Sequence, residues 1–192
     1  KDLNKKSVFF INKLEKIKNL YGNLIEEIRG QGFLLGIKSK INNLIFIEKV
    51  GSCSDKIQDG IALIKKIPKK LIVAQAIMES NWGRSRFAKE GNNYFGMRTW
   101  DLTKPHMKPK LKKESTFGLV ISPNMCASVE DYIYNLNVSD KYSELRKARM
   151  IEVKLWNSVD PIVLAKYLGS YSEEGPTYVK KIIYQIRNLN KY

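Results

Sequence analysis

One acidic residue stands out by the company it keeps. Glu79 follows Leu71-Ile72-Val73-Ala74-Gln75-Ala76-Ile77-Met78, the most apolar stretch of the chain. A helix that is apolar on nearly every side is buried on nearly every side. Burial disfavours the charged form of a carboxyl group and raises its pKa. A glutamic acid still protonated near neutral pH can give its proton to the oxygen of a leaving sugar, the first requirement of a glycosidase. The helix would hold the acid rigidly while its end opens into a cleft. The bland alternative is an exposed last-turn residue.

Other chemistries have little to work with. His106 is the only histidine, so a Ser-His-Asp triad could use that residue alone and a His-rich metal site is excluded. Cys53 and Cys126 are the only cysteines and lack zinc-site spacing. Whether they pair stays open, because the sequence does not say how far apart they lie. No metal and no cofactor is expected.

The residues around Glu79 sharpen the reading. The stretch Ala74-Gln75-Ala76-Ile77-Met78-Glu79-Ser80-Asn81-Trp82-Gly83 is followed by Ser85, Ala88, Asn93, Phe95 and Gly96. It resembles the signature A-Q-A-x-x-E-S-x-W-G, then S-x-x-A-x-x-x-x-N-x-F-G, of the glucosaminidase domain of glycoside hydrolase family 73, and every position is filled. Ser128-Val129, Tyr132, Asn135-Leu136-Asn137, Tyr142, Leu145-Arg146, Tyr171-Ser172-Glu173, Gly175 and Tyr178 resemble the Bax-type branch. The likeness covers roughly 60–192.

The resemblance implies a mainly α (α+β), lysozyme-like fold, with a helical lobe and a small β-hairpin lobe flanking a sugar groove. It implies peptidoglycan hydrolysis between N-acetylglucosamine and N-acetylmuramic acid. The family's catalytic acid falls on Glu79. Its second acid lies on the β-lobe, where Glu114 is the only acid between Asp101 and Glu130 and becomes the candidate. The lysines that precede Glu114 would keep it ionised, as suits a base or an electrostatic partner. Tyr178 matches a tyrosine that lines the family's active site and is needed for activity. Trp82, Asn92, Asn93, Tyr94 and Phe95 are candidates for the groove, since aromatic faces stack on sugar rings and amides bond N-acetyl groups. Trp82 could equally belong to the core, and Phe95-Gly96 to a packed turn.

The elements that must carry these residues follow from pattern. Pro68 suits a helix start, and the helix expected from Lys69 to about Asn81 would end at Gly83. Further helical turns are expected over 85–90, then a loop and short β-hairpin between Asp101 and Pro123. Ser128 reads as the cap of a following helix, with acid three positions on in Asp131. More helices are expected over 140–150, 159–167 and 174–190. Upstream, Val8, Ile11, Leu14, Ile17, Leu20, Leu24 and Ile28 recur at helical steps and predict a helix over 7–29. A helix or strand is expected over 33–47, and a linker or turn at Gly51–Asp55. The expected organisation is an N-terminal helical extension over 1–60 and a catalytic domain over 61–192.

The charge is spread along the whole chain, with 15 basic against 7 acidic residues in 1–70 and 19 against 12 in 71–192. This points to a polyanionic partner such as nucleic acid, anionic lipid or a cell-wall polymer. No nucleic-acid-binding signature is present, so peptidoglycan strands are the expected partner and nucleic acid is not. No apolar run reaches membrane-span length. The chain begins at Lys1 and reads as a mature or trimmed form acting in the periplasm or cell envelope. Oligomeric state is not legible. A lytic transglycosylase or muramidase-like enzyme and a non-catalytic glycan-binding protein remain as alternatives.

Overall fold

The computed structural model describes residues 2–20, 25–31, 34–39, 41–109 and 115–189. The chain divides into two compact units, Lys1–Phe46 with Lys191–Tyr192, and Ile47–Asn190. The boundary between these two units falls after Phe46.

The first unit is a helix followed by a hairpin. Helix α1 spans Asp2–Leu20, and strands β1 (Ile25–Gln31) and β2 (Leu34–Ser39) pair antiparallel with Ile28 opposite Ile37. Of the helix predicted over 7–29, the described residues are helical to Leu20 but form a strand from Ile25 onward. Ile25 and Ile28 prolong the helical spacing, yet Gly22-Asn23 interrupts it with two poor helix formers. The β-branched residues beyond that break suit a strand.

Helix α2 (Ile41–Gln58) runs straight through the expected turn at Gly51–Asp55. Gly51 is not a breaker here but a point of close packing: a Cβ on it would lie 3.2 Å from Lys69 Cδ. Cys53 on α2 is joined to Cys126 by a disulfide.

The second unit is mainly helical. It contains α3 (Lys69–Ser80), α4 (Arg86–Gly91), α5 (Met125–Val138), α6 (Ser143–Trp156), α7 (Pro161–Ala165) and α8 (Pro176–Asn188). A small antiparallel sheet of β3 (Arg98–Thr99), β4 (His106–Met107) and β5 (Gly118–Val120) has the order β3-β5-β4. Helix α3 lies at the centre, against α7 and α8. Its residues 71–77 are all buried, as the apolar run requires. Leu136, Leu145, Leu164, Leu168 and Ile182 complete the core around it.

Two polar staples hold the chain where it enters α3. The Gln58 amide accepts from Ile67 N at 2.6 Å and donates to Ile67 O at 2.9 Å. Buried Arg149 donates to the carbonyls of Lys65 and Lys66 and to Asn137 Oδ1. The cap of α5 is Asn124, whose side chain accepts from Ala127 N at 3.0 Å, and not Ser128. Ser128 is buried within the helix, and its hydroxyl accepts from Tyr94 N at 3.1 Å. A serine followed by acids reads as a cap in sequence, but Asn124 lies four residues earlier and takes the position first.

Candidate active site

Helix α3 delivers Glu79 to the edge of the core. From Leu71 the helix is buried until its last turn, where Met78 and Glu79 become half-exposed. Burial pushes the Glu79 carboxyl above its ordinary range, a hydrogen bond from Tyr178 pulls it down, nearby Glu174 raises it and Arg98 lowers it. Desolvation is the largest of these influences, and the result is a raised pKa.

Tyr178, from the buried face of α8, donates its hydroxyl proton to Glu79 Oε1 at 2.7 Å. Its own oxygen accepts from Gln75 Nε2 at 2.8 Å. Gln75 is fully buried one turn back along α3, and its Oε1 accepts from the Tyr132 hydroxyl of α5. Rings close the space beneath the acid. Tyr171 stacks on Tyr178 with centroids 5.7 Å apart, and Phe95 stacks on Tyr132 at 4.2 Å. The Tyr171 hydroxyl donates to Phe95 O at 2.6 Å. Burial raises the pKa of Tyr132, Tyr171 and Tyr178, which keeps these phenols neutral donors.

The turn after Glu79 is organised by Ser80. Its buried hydroxyl donates to Ala76 O at 2.5 Å and accepts from Gly83 N at 2.7 Å, while Ser80 O accepts from Ser85 N. Asn81, Trp82 and Gly83 then pass through left-handed backbone at φ 49°, 59° and 71°. Such a run is unusual for a tryptophan, and the Ser80 bonds hold it in place. Ser85 caps α4 by accepting from Ala88 N.

The chain returns to the acid at Gly96. Asn93 is buried and spends its amide on Met97 O, Val120 O and Met97 N, all within 2.9 Å. This pins Gly96 at φ 65°, where a Cβ would lie 3.4 Å from Glu79 Oε2. Glycine is favoured there by both conformation and space. Beside the site, a cleft of about 530 Å³ between β3 and α5 is lined by Arg98, Thr99, Lys104, Asp131 and Tyr134, among others. The Arg98 guanidinium lies 4.6 Å from the Phe117 ring centroid.

The structure thus brings Glu79 and Tyr178 together. Glu114 lies outside the described residues. Trp82 and Tyr94 are half-exposed on the turns flanking the acid. Asn92 ends α4 and donates to the carbonyls of Ser122 and Pro123. Asn93 and Phe95 are buried behind the turn that returns to Glu79. Gln75, Ser80, Tyr132 and Tyr171 surround the acid as well; each is a motif position, but the motif gives them no role. Besides its place in the motif, a lone glutamine in an apolar run signals a role for Gln75, since a buried amide must be hydrogen-bonded. Among the described residues no cluster of three metal-ligating side chains occurs, and no helix is long and apolar enough to cross a membrane.

Comparison with known proteins gives the family and the fold. Residues 59–191 match the family model described as mannosyl-glycoprotein endo-beta-N-acetylglucosaminidase. Protein bax of Escherichia coli K12 is 33% identical over 112 residues, which are 58% of this chain and 39% of that protein. The alignment therefore spans about two-fifths of the relative's length. The catalytic domain of the autolysin Auto from Listeria monocytogenes superposes with a TM-score of 0.54 at 21% identity, covering 78% of this chain and 85% of that one. A glycoside hydrolase domain of Salmonella typhimurium FlgJ superposes with a TM-score of 0.54 at 17% identity, covering 77% and 97%. The fold is lysozyme-like, as the signature implied.

Proposed function

This chain belongs to the mannosyl-glycoprotein endo-beta-N-acetylglucosaminidase family of glycoside hydrolases, and from that membership we propose that it cleaves peptidoglycan strands between N-acetylglucosamine and N-acetylmuramic acid. The observation that carries the reading is Glu79: a carboxyl whose pKa burial raises, fixed on a rigid helix, and bonded on one oxygen by Tyr178. In the proposed reaction Glu79 gives its proton to the glycosidic oxygen as the bond from C1 to that oxygen breaks. A water then adds to C1 and loses a proton to a base. The carboxylate left on Glu79 is stabilised as it forms by the Tyr178 hydroxyl, whose bond strengthens with the charge. Glu114 is proposed as the second acid, serving as base or as a charge opposite the oxocarbenium-like transition state.

Several features support this substrate. The relatives include an autolysin catalytic domain. The net charge of +15 suits a polymer bearing lactyl and peptide carboxylates. The disulfide suits an oxidising compartment, and hence action in the periplasm or cell envelope.

The test is the chemistry of the new chain ends. Borohydride reduction of digested peptidoglycan should convert terminal N-acetylglucosamine to its alditol. Reduced muramic acid would point to a muramidase, a 1,6-anhydro ring to a transglycosylase, and intact strands to a glycan-binding protein.

A further inference from the structure

The hydrogen bonds running from Tyr132 to Glu79 have a direction. A primary amide has two ends that cannot be exchanged: its oxygen only accepts and its nitrogen only donates. At Gln75 the oxygen is occupied by the Tyr132 hydroxyl, and the nitrogen points at the Tyr178 oxygen. A phenol has a single proton. With its oxygen already receiving a proton from Gln75, Tyr178 directs its own toward Glu79 Oε1. That oxygen is then an acceptor, so the acid's proton belongs on Oε2, the oxygen that faces Gly96.

We propose that Gln75 is a positioning residue that sets the donor direction of Tyr178 and so assigns the transferable proton to Glu79 Oε2. With the amide reversed, Tyr178 would donate to Gln75. Glu79 Oε1 could then satisfy the Tyr178 oxygen only by donating to it, which turns the acidic proton inward and away from a leaving group. Gln75 is suited to this role because it is fully buried, lies four residues before Glu79 on the same helix face, and touches both tyrosines. The inference rests on the reading of Glu79 as the acid.

Gln75→Glu tests it. While neutral, the carboxyl introduced at position 75 keeps the pattern, with a carbonyl that accepts from Tyr132 and a hydroxyl that donates to Tyr178. Once ionised, that carboxylate is acceptor-only, and it draws the Tyr178 proton away from Glu79. The groups facing this network are Tyr132 and Tyr142, Tyr171 and Glu174 on the approach to α8, Tyr178 on α8, and Arg98 on β3. All are common to the wild type and the variant, so the ratio of their rates isolates position 75.

The ratio of Gln75→Glu to wild-type turnover on soluble peptidoglycan fragments should be highest in acid. It should fall about tenfold per pH unit once the introduced carboxyl ionises. The same ratio is measured a second time with Tyr178→Phe added to both proteins. There it should be independent of pH, because no Tyr178 proton remains to be diverted. A pH-independent ratio with Tyr178 in place would overturn the proposal. So would an equal fall in the Tyr178→Phe background, which would mean that burying a charge damages the protein without acting through Tyr178. Glu79→Gln is assayed alongside; only activity in that variant would count against the acid itself.

Discussion

Tyr178 and Glu79, 99 residues apart in sequence, meet through a 2.7 Å hydrogen bond that joins α8 to the end of α3. The bond opposes the effect of burial on the acid. Burial favours the protonated carboxyl and Tyr178 favours the carboxylate. A general acid needs both, a proton to give and a stable anion once it is given.

Removing that hydroxyl should therefore separate rate from pH dependence. Tyr178→Phe should lower kcat by roughly 10- to 100-fold, the range for losing a hydrogen bond to a developing charge. Because the bond lowers the pKa of Glu79, its loss should raise that pKa further and carry the alkaline limb of the profile to higher pH. Initial rates across a pH series would check both effects. A drop in rate with an unmoved limb would argue that Tyr178 only packs.

The acid should also reduce the stability of the fold, with a definite sign. Below about pH 4.5, the ordinary value, Glu79 is protonated folded and unfolded alike. Between that value and the raised folded value, the unfolded chain has released a proton the folded chain keeps, so stability falls as pH rises. Glu79→Gln removes this dependence. Calorimetry should find the variant more stable than wild type at neutral pH, by about 2–4 °C for each kcal/mol recovered in a chain of this size. The difference should vanish in acid. A variant that is less stable at neutral pH would contradict the desolvation argument.

Ser80 is expected to matter more for folding than its size suggests. Ser80→Ala leaves the Gly83 N–H without its partner at the start of a left-handed run. The cost should be about 1–3 kcal/mol, read as a lower thermal midpoint. Activity should fall as well, because the turn begins at the residue after Glu79.

The disulfide closes a separation of 73 residues between α2 and α5. Chain-entropy arguments give ~4 kcal/mol for a loop of that length. Thermal unfolding with and without reductant should differ accordingly, and the double Cys→Ser variant should match the reduced protein. Equal midpoints would show that the helices are held by packing alone.

What the sequence makes legible, and what it conceals, follows the physics of each position. Helix α3 is plain because an apolar run bounded by Pro68 and Asn81-Trp82-Gly83 has few other structures open to it. Glu79 and Tyr178 are found together only through motif positions, since no local pattern relates residues so far apart. Gln75 appears in the motif, but its role stays hidden because that role needs two tyrosines from α5 and α8 to converge on it, and long-range convergence leaves no periodic trace. Asn93 and Phe95 carry the motif yet face inward: a signature records what a site requires, which includes the turn behind it. Residues 25–31 mislead because isoleucines three apart fit a helix as readily as the strand they form.

The proposed reaction depends on Glu79 giving up its proton, and one comparison of two proteins tests this. Purified peptidoglycan would be digested in parallel by the wild-type chain and by Glu79→Gln, with the products resolved by mass spectrometry. Muropeptides ending in reducing N-acetylglucosamine are expected from the wild type and none from the variant, which remains folded. Equal products from both would contradict the proposed reaction and remove Glu79 from the mechanism.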